Sequence, residues 1–582
     1  MHKHLSIITL IGLSVVLYGA IAFQPALSDD IDASHAIAAR EILQRHDWIT
    51  LHVNGVRYLE KAPLLYWLVA ISYQIFGINE FAVRFPTVVA IALLAGTAYW
   101  FGRWAYSQKV GLYAAMILVS CVGMFLFTRL MIPETVLTLW FTLGHFCFLQ
   151  AFLGSERHKN YYYGCYICMA LAVLSKGLIG IVFLAGPIFL FLLFTRQLST
   201  WKELKLVPGT ALFLAIAAPW HILVGLRNEN FFWFYFINEH VLRFLNVREQ
   251  RDYNRLPILQ YWFLHLVWLF PWSIGLPFLA KQSFSIRPTA KRSAQINFYL
   301  ALWAGFILIF FGLSSNQEYY TFPAFPAIAL LLGHAVASAE QNQTKALARL
   351  YGGLAAIALL IASGLGWLIW ISRNLQPTGD LAAVLNMVSA DSVHYTRSLA
   401  RAFDLTPQAF VELRGPTIGT ILALGIGFPL VFWMHRQRQH QIAMAATVLT
   451  MWLFFICAHQ AQIRFEPIIS SKPLADVILR RWEPGSKIVI NGNHEIASSI
   501  GFYTNQPLLM LNGRKFNLEF GSRYPDAPHV FLDLNNVRQL WRGSDQVFLF
   551  TEDVKKEALL HDLNLPVSLV ADIGGKSLFT NR

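Results

Sequence analysis

Three acids, Asp29, Asp30 and Asp32, open the stretch "SDDIDASHAIAAREILQRHDWIT" directly after an apolar run. Further along stand Glu60 and Lys61 in "YLEKAP", Arg129 and Glu134 in "RLMIPET", Lys176 in "LSKG", and Glu239, His240 and Arg243 in "INEHVLRF". Several carboxylates, several cations and a histidine suit attack on a phosphate-linked group. The cations neutralise a leaving phosphate, and a carboxylate accepts the proton of the incoming nucleophile. Each residue also has a plainer use. Acids at a helix N-terminus cap free N–H groups and meet the positive end of the dipole. Glu60 with Lys61, and Arg129 with Glu134, can be local ion pairs. Lys176 can snorkel, although a charge in a tight turn between two apolar helices is expensive unless it is paired or faces water. Glu239, His240 and Arg243 share one helical face, and His240 beside Glu60 could form half of a divalent-metal site (Zn, or Mg or Mn), with substrate oxygens completing the shell.

The elements that position these residues belong to a membrane. Of 582 residues, 56% are hydrophobic and only 14% charged, far from the roughly 25% charge of a soluble protein. The first run has a basic flank and no convincing cleavage site, so it reads as an anchor. The cysteines, including Cys165 and Cys168, lie inside apolar runs and imply neither disulfides nor a zinc finger. Runs long enough for about 30 Å of hydrocarbon place thirteen helices near 5–23, 82–102, 110–128, 133–154, 161–176, 177–195, 206–225, 259–281, 296–313, 321–337, 347–371, 416–434 and 442–460. Two shorter helices, at about 29–45 and 62–76, are expected to lie in the outer interface.

Alternate connections are short and basic: "RWAYSQK" (103–109), "SERHKN" (155–160), "TRQLSTWKELK" (195–205), "KQSFSIRPTAKR" (281–292), "QTKALAR" (343–349) and "HRQRQH" (435–440). By the positive-inside rule these are cytoplasmic. The net charge of +13 is therefore a topology signal, and no nucleic-acid partner is expected. All the candidate chemistry falls in the opposite, exterior set. A membrane domain, 1–461, is expected to precede an exterior α/β domain, 462–582, where short apolar runs at 487–490, 507–511, 529–534 and 546–550 alternate with turns and helical patterns.

The ordered motifs "AREIL", "DWIT", "RYLEKAPLLYW", "EFAVRFP", "LSKG", "FINEHVLRF" and "EYYTFPAFP" resemble those of the bacterial aminoarabinose transferase and protein O-mannosyltransferase superfamily of membrane glycosyltransferases. The similarity covers about residues 1–340 and extends weakly to the end. It implies a mostly α, polytopic GT-C architecture. It also implies transfer of a sugar from a polyprenyl-phosphate carrier to a lipid A-type lipid, glycan or protein acceptor. The reaction would take place at the outer, periplasmic face of a bacterial cytoplasmic membrane. Carried over by position, Glu60 and His240 match metal-binding positions, Lys61 and Arg243 match cations holding the carrier phosphate, and Lys176 matches the cation of a "TKG" turn. Glu134 stands where the aminoarabinose enzymes place an aspartate. Arg57, Tyr58, Tyr319 and Tyr320 are assigned to the substrate cavity. The family usually reads Asp-Glu and then a tyrosine in the opening stretch; here it is "DDIDASHA", with His35 at the aromatic position. Aligning back from "AREIL" puts Ile31 and Asp32 on that pair, whereas a one-residue bulge puts Asp30 on the catalytic aspartate; the second alignment is favoured, with Asp32 as the neighbour of Asp30. A flippase or transporter of a lipid-linked substrate is the alternative, and a membrane-anchored sensor a weaker third. Charges at the outer helix ends and the lack of an internal repeat speak against a transporter.

Overall fold

Peptide groups in hydrocarbon find no water, so an apolar run satisfies them best as a helix. The computed structural model describes residues 2–154, 158–245, 247–249, 257–314, 317–377, 379, 381–382 and 406–582. It is helical at each of the thirteen expected places. Helix length and composition alone do not confirm thirteen crossings. Among the described residues, eight helices are long and apolar enough to cross, or nine if Ile258–Trp268 and Trp272–Lys281, bent by 101°, form one broken span. Ile7–Ile21, Gln108–Ser120 and Ile179–Phe194 are shorter apolar helices. Tyr161–Lys176 has 16 residues, about 24 Å at 1.5 Å per residue.

The basic connections gather on one another. Lys159 pairs with Glu203 (2.5 Å), the Arg292 guanidinium lies 3.8 Å from the Trp104 ring centre, and Lys281 donates to Gln343 (2.8 Å). Part of "SERHKN" and much of the 372–415 loop lie outside the described residues.

The two short helices are Asp32–Arg45 and Leu64–Phe76. The first departs from expectation twice. It begins at Asp32, with Ile31 as N-cap and no side-chain cap, so the acids are not caps. It also does not lie half in lipid, because every residue from Asp32 to Ile42 is buried. The reason is a covering layer, since Arg40 donates to the carbonyls of Phe502 (2.8 Å) and Gly501 (3.1 Å) in the C-terminal region. Strands β1 (His52–Val53) and β2 (Val56–Arg57) form a small antiparallel pair between the two helices.

The C-terminal region builds one six-stranded sheet. Strands β3 (Lys487–Asn491), β4 (Leu508–Leu511), β5 (Phe531–Leu532) and β6 (Val547–Glu552) are parallel, in the order β5-β4-β3-β6. The buried apolar centres of β3 and β6 are what a strand covered on both faces requires. β7 (Ser568–Ile573) and β8 (Lys576–Thr580) complete it as an antiparallel hairpin, with β8 against β6. The turn is Gly574-Gly575, both at positive φ (68° and 77°), the backbone a two-residue hairpin needs.

Candidate active site

The opening acids split three ways. Asp29 turns into the C-terminal region, where Lys576 reaches its carboxylate at 2.8 Å. Asp32 is 2% exposed and structural in its contacts. Its Oδ1 accepts the Met131 N–H at 2.7 Å and its Oδ2 lies 3.5 Å from Arg84, whose guanidinium also donates to the carbonyls of Ala22 and Pro25. Asp30 is half-buried and interacts electrostatically with the Tyr319 phenol.

Tyr319 begins a wall of cations. The Lys176 ammonium lies 4.1 Å from the Tyr320 ring centre and 5.9 Å from that of Tyr319. Arg243 donates to the Tyr320 hydroxyl at 3.2 Å, and Lys61 acts on the same phenol electrostatically. Each cation keeps its own carboxylate: Lys61 with Glu60 (2.7 Å), Lys176 with Glu134, and Arg243 with Glu239 (3.0 Å). Such pairing offsets part of the cost of burying charge. Glu134 is 1% exposed and its Oε2 has no hydrogen-bond partner among the described residues. Burial acts to raise the Glu60 carboxyl, but Lys61 beside it, with Arg243 and Arg248, holds it below the ordinary range.

Backbone geometry delivers these side chains. Gly177 follows Lys176 at φ +76°, and a Cβ there would run into the His240 ring, so only glycine lets the turn close against the histidine. Trp233–Leu242 is a π-helix, a form that recurs at functional sites. Its wider turn lets His240 Nδ1–H donate to the Tyr235 carbonyl five residues back (2.6 Å). His240 Nε2 accepts the Leu178 N–H at 3.1 Å. Both nitrogens are thus committed to the backbone, and burial pushes the imidazole below its usual range. As arranged, the His240 ring has no free lone pair, so it would have to release the Leu178 N–H before Glu60 and His240 could share a divalent ion.

Residues 60–223 match the family described as dolichyl-phosphate-mannose-protein mannosyltransferase. The chain is 27% identical to the undecaprenyl phosphate-alpha-4-amino-4-deoxy-L-arabinose arabinosyl transferase of Erwinia tasmaniensis over 90% of this chain and 89% of the relative. It is 28% identical to the enzyme of the same name from Yersinia enterocolitica, over 58% of this chain and 61% of the relative. The structure superposes on ArnT from Cupriavidus metallidurans bound to undecaprenyl phosphate with a TM-score of 0.81 at 21% identity, covering 99% and 98% of the two chains. The chain is similar to members of the aminoarabinose transferase and protein O-mannosyltransferase superfamily and shares the fold of the solved ArnT structure. It is a multi-pass membrane protein.

One assignment of a cavity residue needs correcting. Arg57 is not in the cavity with the others. It is held by Asp526 (2.6 Å) and Asn228 (2.9 Å) and stacks on Tyr524 at 4.3 Å. Neighbours on an extended segment face opposite ways, so Tyr58 points to the other side and donates to Glu60 at 3.2 Å. His35 joins that side, packed edge-on to Tyr66 at 5.6 Å, and donates from Nδ1 to the Met131 carbonyl at 2.8 Å. Burial first, and Lys61 second, lower its pKa to about 4. Arg248, which reaches Glu239 at 2.9 Å, and Tyr66 escaped the sequence reading. Arg248 sits in the mixed-charge run "NVREQRDYNR", which reads as a loop, and Tyr66 hides in an apolar helix.

Proposed function

We propose that this chain is a glycosyltransferase that moves a sugar from a polyprenyl-phosphate carrier to a cell-envelope acceptor, working at the periplasmic face of a bacterial cytoplasmic membrane. The observation that carries the reading is the placing of Lys176 and Arg243 on Tyr320, with the Lys61–Glu60 pair and Asp30 acting electrostatically on the two phenols. The acceptor oxygen bonds to the anomeric carbon as the bond from that carbon to the carrier phosphate oxygen breaks. The electron pair leaves on the phosphate, where the cations stabilise it, and the acceptor's proton passes to Asp30.

Alignment with two of the relatives, from Yersinia and Pectobacterium, spans 61% and 64% of their lengths, so their whole activity is a guide to the first assay. The donor their name specifies, undecaprenyl phosphate-alpha-4-amino-4-deoxy-L-arabinose, is the first to try, followed by other polyprenyl-phosphate sugars. Purified protein incubated with each donor and with lipid A-type, glycan or protein acceptors should give a glycosylated product by mass spectrometry. A flippase would relocate the lipid without forming a glycosidic bond. Relocation without a product, across all donors and acceptors, would overturn the proposal.

A further inference from the structure

The stretch that carries Asp30 is held largely from the C-terminal region. Ala26 N–H donates to Glu466 (2.9 Å), Leu27 N–H to the Tyr503 hydroxyl (2.9 Å) and Asp29 N–H to the Ile469 carbonyl (2.9 Å). The Asp29 side chain is 6% exposed. Its carboxylate accepts from Ser471 Oγ (2.7 Å), Ser499 N–H (3.0 Å), Ser499 Oγ (2.5 Å) and Lys576 Nζ (2.8 Å), and the Ser498 hydroxyl donates to its main-chain carbonyl. Every one of these partners lies between residues 466 and 576.

A carboxylate withdrawn from water costs several kcal/mol unless it is both paired and hydrogen-bonded. Asp29 is both, and among the described residues this neighbouring region supplies the partners of its carboxylate. Three residues on, Asp32 is fixed to the membrane side through Met131 N–H and Arg84. Asp30 therefore sits on a short bridge with each end tied to a different part of the molecule. The far anchor is itself built for the purpose. Gly574 lies against the backbone of residues 466–469, where a Cβ would run into the Pro467 carbonyl, and this close hairpin turn brings Lys576 beneath Asp29.

We propose that Asp29 and Lys576 are positioning residues for the transfer reaction. Through them the C-terminal domain sets where Asp30 meets the reacting groups, which makes that domain a working part of the active site. This role rests on the glycosyltransferase reading above.

The test compares full-length wild type with Asp29→Asn, Lys576→Met, Lys576→Arg, Ser471→Ala and the double variant Asp29→Asn/Lys576→Met, using a polyprenyl-phosphate sugar that wild type turns over. Misplacement of a reacting group by about 1 Å can cost about 10²-fold in rate, so Asp29→Asn and Lys576→Met should each lower kcat by about 10-fold to 10²-fold with donor KM within about twofold of wild type. Ser471→Ala, a milder cut, should lower kcat severalfold with unchanged thermal stability. Lys576→Arg should restore most of the kcat that Lys576→Met loses. The double variant leaves no unpaired buried charge, keeps the Ser499 bonds through the amide oxygen and lets the amide N–H donate to Ser471 Oγ, so it should exceed Lys576→Met by about fivefold or more. Variants that lose thermal stability yet keep wild-type kcat per folded molecule would overturn the positioning role, as would wild-type kinetics in Ser471→Ala and Lys576→Met. Absence of transfer by wild type from every donor would overturn the glycosyltransferase reading and this role with it.

Discussion

Asp30 and Asp32 are two residues apart, yet their surroundings demand different things of them. Asp32 answers the Arg84 guanidinium and a backbone N–H, so Asp32→Asn should lower the thermal midpoint in detergent while leaving most turnover per folded molecule. Asp30→Asn should keep wild-type stability and lose about 10²–10⁴ in rate, as removal of a general base does. Full stability with abolished turnover in Asp32→Asn would move the base to that residue. His240, with both nitrogens on backbone partners, predicts that elemental analysis finds equal metal content in wild type, Glu60→Gln and His240→Ala. Metal that falls in both variants would mean that the ring leaves the Leu178 amide to become a ligand. His35 and His494 are buried neutral, lowered to about 4 and about 3. Unfolded histidines take up protons near pH 6.5, so the unfolded chain gains protons first and stability falls as the pH drops from about 6.5 toward 4. His35→Gln should flatten the pH dependence of the thermal midpoint in that window, and an unchanged slope would assign the dependence elsewhere. The candidate residues were legible by type and spacing because charges are costly near hydrocarbon. Their partners were not, since nothing in "GVRYLEK" says that Arg57 turns to Asn228 and Tyr58 to Glu60.

The turn at Lys176 and Gly177 shows what an element contributes. Its backbone, at φ +76°, costs a residue with a Cβ about 1–3 kcal/mol, and the added carbon would meet His240. Gly177→Ala should therefore lower both stability and donor turnover, while Gly12→Ala, at a position open on all sides, should leave both near wild type. Equal behaviour of the two variants in a paired thermal and kinetic assay would remove the turn from the site. Helices in apolar runs were readable because length and hydropathy define them, but the crossing count was not, because several helices stop short and one pair bends by 101°. The start of Asp32–Arg45 was misread for a related reason: acids at a helix start look like caps, and tertiary partners claimed them. The β7–β8 hairpin carried a readable signal in Gly574-Gly575 between apolar runs. Its importance was not readable, because it lies in where Lys576 ends up.

For the whole molecule, the separate gathering of basic connections and of site residues gives a sidedness that labelling can test. Cysteines placed near Lys202 and near Gln506, in a background without the native ones, should react with an impermeant thiol reagent from opposite sides of the membrane. Reaction of both from outside would refute that topology. Alternating loop charge made the grouping of the basic connections legible, whereas the pairing of Asp29 with Lys576, 547 residues apart, leaves no local trace. That separation has a consequence for how the protein comes into being. At about 5–20 residues per second, a ribosome needs roughly half a minute to two minutes to make the chain between the two residues. Throughout that interval the segment that carries Asp29 waits without Lys576. A polypeptide stopped before Lys576 by a nonsense codon or a stalled ribosome would insert its early helices yet lack the partner that positions Asp29, so full turnover would begin only after synthesis has passed the β7–β8 hairpin.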